Sequence, residues 1–178
     1  MGLQLIICVE TNKKTNSDYI YINATIKFFY KIGLANIKIS PVYMDGRGNY
    51  SSGKINKRIN ALINEYKAGS KNNESIVIFC FDCDDYDTKP EDKQFLDNAK
   101  QYCADNGYRF VWFYKEIENV FWGRTVPDNA KKKEAENFAK KNKIKDLNID
   151  NLKADKYKDG KSNLCSILDD YLIVDNNR

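Results

Sequence analysis

The chain has 178 residues, of which 30% are charged and 42% hydrophobic, and it carries a formal net charge of +4. A chain of this length suits one compact domain, or one domain with a small extension. It contains no histidine, which excludes Ser-His-Asp and Cys-His triads, histidine-based ribonuclease chemistry and histidine-containing zinc sites. Any catalysis must therefore use carboxylates, lysines, thiols or metals bound by oxygen ligands.

Short β-rich segments alternate with amphipathic helical segments along the chain, which is typical of βαβ units around a mostly parallel sheet. Strands are predicted at residues 3–9, 37–44, 75–81 and 109–114. Helices are predicted at about 18–32, 55–66, 90–105, over the lysine-rich segment 131–143 and at about 162–173. Pro41 indicates that the second strand is short or lies near an edge.

The predicted fold is therefore α/β, with a mostly parallel four-stranded sheet flanked by helices. Residues 1–124 form the predicted catalytic domain, and the composition shifts toward lysine and asparagine after Trp122. Residues 125–178 are predicted to be a helical, lysine-rich C-terminal extension packed on the same domain.

The five cysteines are odd in number and lie mostly in apolar segments, which predicts free thiols of a cytoplasmic protein rather than a disulfide framework. The N-terminal segment lacks a basic region, and no apolar run approaches membrane-spanning length. We therefore expect a soluble, cytoplasmic protein with no membrane partner.

Acidic residues directly follow two of the predicted strands. Glu10 follows the first strand, and Asp82 and Asp84 follow the third. In open parallel sheets ligands bind outside the carboxyl ends of the strands. Two aspartates two residues apart on a strand project to the same side, so they could share one cation. Together with Glu10 they predict an oxygen-ligand site for Mg²⁺ or Mn²⁺.

The distribution of charge supports such a site. Residues 82–92 contain six acids and one lysine, a net charge of −5, so the rest of the chain carries +9. A negative spot in a positive body suits a metal-dependent enzyme that acts on a polyanion. Aspartates after a strand are also ordinary turn and capping residues, and for the aspartate cluster alone that alternative stays open.

Three further positions have both a functional and a plain interpretation. Glu118, alone or together with Glu116, could complete the site after the fourth strand, or it could be an exposed acid. Lys54, which opens the second helix after a glycine-rich loop, could contact a phosphate or be solvated. The lysines at 131–133 could bind nucleic acid, although composition favours a solvated helix face.

Two of these segments, 5–19 and 76–87, resemble the Toprim domain, whose first strand ends in glutamate and whose third ends in D-x-D. Within that superfamily the chain looks most like the stand-alone Toprim proteins of RloB-like and OLD-type phage-defence systems, which the aromatic, Glu-containing segment 114–122 also matches. The resemblance covers roughly residues 3–122. It departs at Thr11-Asn12, where Toprim proteins often have a glycine after the glutamate.

The resemblance implies a Toprim-like (Rossmann-like) domain in which Glu10, Asp82 and Asp84 hold Mg²⁺, with Mn²⁺ as an alternative. It implies hydrolysis of phosphodiester bonds in RNA, tRNA included, or in DNA, because the chain has no room for the additional modules of topoisomerases or primases. It also implies a role in antiviral defence by abortive infection, with an ABC-type or other ATPase as partner and with a homo-oligomer as an option. The alternative is a non-catalytic Toprim-like module that docks onto a partner ATPase or a nucleic acid.

Overall fold

The computed structural model describes residues 2–34 and 36–175. Its strands are β1 (Leu3–Val9), β2 (Ile37–Tyr43), β3 (Glu74–Asp82) and β4 (Arg109–Phe113). They form one sheet in the order β2-β1-β3-β4, and every neighbouring pair is parallel. This confirms the predicted α/β class with a four-stranded parallel sheet, and it is consistent with a Rossmann-like fold. The strand that contains Pro41 lies at an edge, as the proline indicated.

The α-helices of the described residues are α1 (Ser17–Phe29), α2 (Gly53–Gly69), α3 (Pro90–Asp105), α4 (Ile117–Trp122), α5 (Lys131–Lys140) and α6 (Leu164–Leu168). The prediction of a last helix over about 162–173 is wrong in its length, since α6 has only five residues. Backbone groups on either side of α6 are used elsewhere, because Ser162 forms a β-bridge with Phe113 and Val174 forms one with Tyr30. Among the described residues no helix is long and apolar enough to cross a membrane.

The helices cover both faces of the sheet, as a parallel sheet requires. On one face Ile6, Phe79 and Phe81 belong to a buried cluster that includes residues of α2 and α3. On the other face Ile7 and Ile78 belong to a cluster that includes residues of α1, α4, α5 and α6. Successive strand residues therefore point to opposite cores, which is why the strands are apolar throughout rather than alternating.

The lysine-rich helix α5 packs by its apolar side. Phe138 is buried, and its ring lies 5.3 Å from that of Tyr21 on α1 and 5.5 Å from that of Phe121 on α4. This packing fixes α5 against the domain, so that Lys131, its first residue, lies near the carboxyl ends of the strands.

All five cysteines are free and buried, which agrees with the prediction of free thiols. Cys80 and Cys83 have C-x-x-C spacing. Their side chains nevertheless belong to opposite cores, Cys80 with α1 and Cys83 with α2 and α3. They therefore do not form a dithiol pair.

The strand order creates a crevice at one place on the sheet. The chain leaves β1 for β2 on one side and then returns past β1 to β3 on the other side. The loops that follow β1 and β3 therefore diverge, and an open α/β sheet binds ligands at such a point, outside the carboxyl ends of the strands. Glu10 and Asp82 stand at these two strand ends.

Candidate active site

Glu10 and Asp82 meet at the carboxyl ends of β1 and β3. The backbone N–H of Asp82 donates a hydrogen bond of 2.9 Å to Oε1 of Glu10. The N–H of Ile117, in the first turn of α4, donates one of 2.8 Å to Oδ1 of Asp82. These two bonds orient both side chains, and they leave Oε2 of Glu10 and Oδ2 of Asp82 without a hydrogen bond from any described residue. Two carboxylate oxygens therefore remain available at this point of the sheet.

Asp18 joins this pair from the first turn of α1. Its Oδ2 accepts a hydrogen bond of 3.1 Å from the N–H of Thr11, and its Oδ1 lies 3.2 Å from the Ser17 hydroxyl. Asp18 is only 9% exposed. The sequence-based prediction missed it, because an acid in the first turn of a helix is an ordinary capping signal and nothing local separates it from one.

Glu118 on α4 is the fourth carboxylate, and it is fully buried. Neither of its oxygens accepts a hydrogen bond from another described residue. We call Glu10, Asp18, Asp82 and Glu118 the carboxylate cluster, because the charges of the other three each raise the pKa of Asp82. The plain interpretation of Glu118 as an exposed acid is therefore wrong.

Lys131 supplies a positive charge beside the cluster. Its Nζ lies 3.7 Å from Oε2 of Glu118, 3.8 Å from Oε1 of Glu116 and 3.4 Å from Oδ1 of Asp128. Its side chain is 18% exposed, whereas Lys132 and Lys133 are exposed. A solvated helix face therefore describes the two later lysines but not Lys131. Sequence reasoning missed this position because the apolar packing of α5, rather than its charge pattern, determines which lysine turns inward.

Burial and mutual repulsion disfavour the ionised form of the carboxylates in the cluster. Burial, with the nearby charges of Asp18 and Asp84, raises the pKa of Glu10 to about 8. Burial, with the charge of Asp18 added and that of Lys131 opposing, raises the pKa of Glu118 to about 7. Burial and the charge of Glu10 raise the pKa of Asp82 well above its usual range. A cation bound among these carboxylates would offset the cost of ionising them.

Asp84 is held differently from Asp82. The strand ends at Asp82, and Asp84 adopts a left-handed backbone conformation with φ of 46°, so the alternation within a strand does not extend to it. Its carboxylate pairs with the guanidinium of Arg47, which also lies 2.6 Å from Oδ1 of the buried Asp92. Asp84 is close enough to contribute to the raised pKa of Glu10, but its side chain is turned to Arg47.

The other two predicted candidates lie outside the carboxylate cluster. Glu116 is half-buried and shares Lys131 with Glu118, and its charge contributes to the raised pKa of both Glu118 and Asp84. Lys54 is exposed at the start of α2, beside β2.

The donor set fits Mg²⁺ or Mn²⁺ by its chemistry, since carboxylate oxygens are the ligands these ions prefer. Glu10 and Asp82 would hold the ion through their available oxygens, with Asp84 or Glu118 as a third ligand. Among the described residues, however, no group of three or more acidic or thiol side chains is arranged to hold a metal. The third carboxylate would therefore have to rotate, Asp84 away from Arg47 or Glu118 away from Lys131.

Lys131→Met should destabilise the protein near neutral pH and above, because it leaves Glu118 buried without a counter-charge. We expect the free energy of unfolding to fall by about 1–3 kcal/mol, the usual cost of leaving a buried polar group unsatisfied. The loss should shrink on acidification, since a protonated Glu118 no longer needs the ammonium group. Urea unfolding of the wild type and of Lys131→Met, at near-neutral and at acidic pH, measures the difference in the free energy of unfolding.

Two further variants isolate the Lys131–Glu118 pair. Glu118→Gln should rescue most of the loss when combined with Lys131→Met, and Lys133→Met should change little because Lys133 is exposed. An equal loss in Lys131→Met with and without Glu118→Gln would show that the ion pair is not what Lys131 contributes.

No family model, curated protein or solved structure matches this chain significantly. The resemblance to Toprim proteins therefore rests on the residues quoted above.

Proposed function

We propose that the protein is a metal-dependent nuclease that hydrolyses phosphodiester bonds of RNA, tRNA included, or of DNA at the carboxylate cluster. One observation carries the proposal. Glu10 and Asp82, from adjacent parallel strands, are joined by the 2.9 Å hydrogen bond at the switch point of the sheet, with one oxygen of each left available. Titratable side chains with strongly perturbed pKa values, placed at the carboxyl ends of parallel strands, are characteristic of functional sites.

The chain's own residues support this chemistry without histidine. Bound Mg²⁺ or Mn²⁺ would activate water and neutralise charge that develops on the phosphate. Glu118, with a pKa of about 7, can take up or release a proton near neutral pH, which is the task that histidine performs in other enzymes. Lys131 places an ammonium group beside Glu118, at the side of the cluster where α5 begins.

The biological setting of the proposal rests on the resemblance to phage-defence Toprim proteins. We propose that the protein acts in the cytoplasm as an effector of antiviral defence by abortive infection. An ABC-type or other ATPase would regulate it as a separate partner, since this chain has no G-x-x-x-x-G-K-[ST] phosphate loop.

A second candidate function is a non-catalytic binding module that docks onto a partner ATPase or a nucleic acid. The observation that favours it is the engagement of the predicted ligands within the protein. Asp84 pairs with Arg47, Asp82 accepts a hydrogen bond from Ile117, and the described residues include no set of three or more acidic or thiol side chains arranged for a metal.

Cleavage assays distinguish the two candidates. Purified protein should cut RNA or DNA oligonucleotides with Mg²⁺ or Mn²⁺ and not with EDTA. Glu10→Ala and Asp82→Ala should each lower the rate about 100-fold or more, the usual effect of removing a group that stabilises developing charge.

Glu74→Ala is the matched control for these variants, because Glu74 is an exposed acid at the opposite end of β3. Equal activity in the wild type and the two site variants would overturn the proposed active site. No cleavage under any condition, with nucleic-acid or partner binding that survives Asp84→Ala, would favour the binding module.

A further inference from the structure

A groove runs along the free edge of β2 and beside the first turns of α2. Its volume is about 680 Å³, and we call it the edge groove. Three of its ten lining residues are cationic and none is acidic. The cations are Lys13, Lys54 and Arg58. The other lining residues include Ile39, Pro41 and Tyr43.

The three cations of the edge groove lack a counter-charge among the described residues. Lys13, Lys54 and Arg58 are exposed, and none forms an ion pair or a side-chain hydrogen bond with a described residue. Other basic residues of the chain do find acids, as Lys38 does with Glu65. Lys54 and Arg58 stand one turn apart on α2, where like charges repel each other. An uncompensated positive groove of this kind complements an anion.

The edge groove leads to the carboxylate cluster. Tyr43 pairs in register with Val9, the residue before Glu10, and Lys13 lies in the loop that follows Glu10. The loop between β2 and α2 is tied to the same point, because the N–H of Gly46 donates a 2.8 Å hydrogen bond to the carbonyl oxygen of Glu10. A linear polyanion lying in the groove would therefore reach the cluster at one end.

Tyr43 is the aromatic residue of the groove lining, and it lies on the α1 side of β2, across the strand edge from Lys54 and Arg58 on α2. Tyr43 is half-buried, and its ring is held edge-to-face against Tyr19 with the centroids 6.3 Å apart. Aromatic side chains beside a positively charged groove are the usual stacking platform for the bases of single-stranded nucleic acid. A peptide strand added to the edge of β2 is disfavoured, because Pro41 lies in the middle of that edge.

We propose that the edge groove binds the phosphate backbone of single-stranded RNA or DNA and leads the strand to the carboxylate cluster. The inference rests on the proposed function in that it takes nucleic acid as the ligand. Lys13, Lys54 and Arg58 neutralise successive phosphates, and Tyr43 stacks on a base.

Binding in EDTA tests the edge groove without requiring cleavage. The probe is a fluorescently labelled single-stranded oligonucleotide, as RNA and as DNA, and its anisotropy gives Kd over a range of salt concentrations. The triple variant Lys13→Ala, Lys54→Ala, Arg58→Ala is compared with Lys71→Ala, Lys93→Ala, Lys100→Ala. The control lysines are exposed and form no ion pair with a described residue, and either triple change lowers the formal net charge of +4 by three.

We expect the groove variant to bind roughly tenfold or more weakly, with a salt slope reduced by about 2, since each phosphate contact on a single strand contributes about 0.7 to the slope. The control variant should stay close to wild type in both Kd and salt slope. Tyr43→Leu should weaken binding without changing the slope. Equal effects of the two triple variants, or no measurable binding by the wild type, would overturn the inference.

The outcome separates the groove from the nuclease. Metal-dependent cleavage with equal binding by both triple variants would exclude the groove and keep the proposed function. Selective loss of binding in the groove variant, without cleavage by the wild type, would keep the groove and exclude the nuclease.

Discussion

The free energy of unfolding of the metal-free protein should fall as the pH rises from about 5 to about 8, by roughly 1.4 kcal/mol per pH unit at most for each carboxyl whose pKa folding raises. Burial raises the pKa of Glu10 to about 8 and that of Glu118 to about 7. In this window the folded protein keeps protons on these groups, whereas the unfolded chain has lost them. The stabilisation is therefore complete below the ordinary glutamate pKa and is lost as the pH passes through the raised values.

The other shifted acids do not reverse this sign. Asp18, Asp82 and Asp84 also have raised pKa values, burial being the largest cause for each. The pKa of Asp92 is lowered, chiefly by its hydrogen bond from Arg47, so its contribution is lost only at more acidic pH. Of the charged groups around Glu10, Asp18 and Asp84 raise its pKa and Arg47 lowers it, while the charge of Glu10 itself raises the pKa of the adjacent Asp82.

Urea unfolding in EDTA across this pH range measures the slope. Glu10→Gln keeps an oxygen to accept the Asp82 N–H but removes the titrating group, so it should flatten the slope and stabilise the protein at the alkaline end. Glu74→Gln should leave the slope unchanged, because Glu74 is exposed at the far end of β3. A slope that is the same in Glu10→Gln and wild type would contradict the assignment of the raised pKa to Glu10.

The second large effect that we expect is stabilisation by a divalent cation near pH 8. A cation that binds only the folded state at tenfold its Kd stabilises by about 1.4 kcal/mol, which corresponds to roughly 3–6 °C in melting temperature for a chain of this size. The gain should be larger near pH 8 than near pH 5, because protons compete with the metal for the raised carboxyls. Thermal unfolding with Mg²⁺, Mn²⁺ or EDTA measures it.

The same side chains that carry the proposed site should abolish this stabilisation. Glu10→Gln and Asp82→Asn are each expected to remove most of the metal-dependent shift, while Glu74→Gln retains it. A shift of equal size in Glu10→Gln would place the ion elsewhere on the protein. No shift in the wild type with either metal would argue against a metal site and for the binding module.

Both expected effects follow from the carboxylate cluster, whose position suggests a function rather than a role in stability. Four acids gathered at the strand ends lower the stability of the folded state, since one of them, Glu118, is fully buried and accepts no hydrogen bond from another described residue. Nothing in the packing of the domain requires them there, since the two cores are formed by apolar residues on the faces of the sheet. A costly arrangement of this kind is expected where a protein binds a cation or performs chemistry.

Much of the fold was predictable from local patterns. Pro90 and the Asn106-Gly107 pair mark the ends of a helix, and α3 spans Pro90–Asp105 as predicted. Hydrophobic runs mark β1 and β3, and the acids that follow them predicted that Glu10 and Asp82 would be neighbours. This inference succeeded because parallel strands bring their carboxyl ends to one edge whatever the intervening helices are.

The sequence by itself thus determined the class of fold, the edge position of the strand with Pro41, and the meeting of Glu10 with Asp82. Only the tertiary structure decided that Asp84 turns to Arg47, that Asp18 joins the cluster, and that Lys131 lies beside Glu118. The physical reason is the range of the interactions. Strand ends follow from periodicity within a few residues, whereas ion pairs and buried carboxylates depend on rotamers and on how helices distant in the chain pack together.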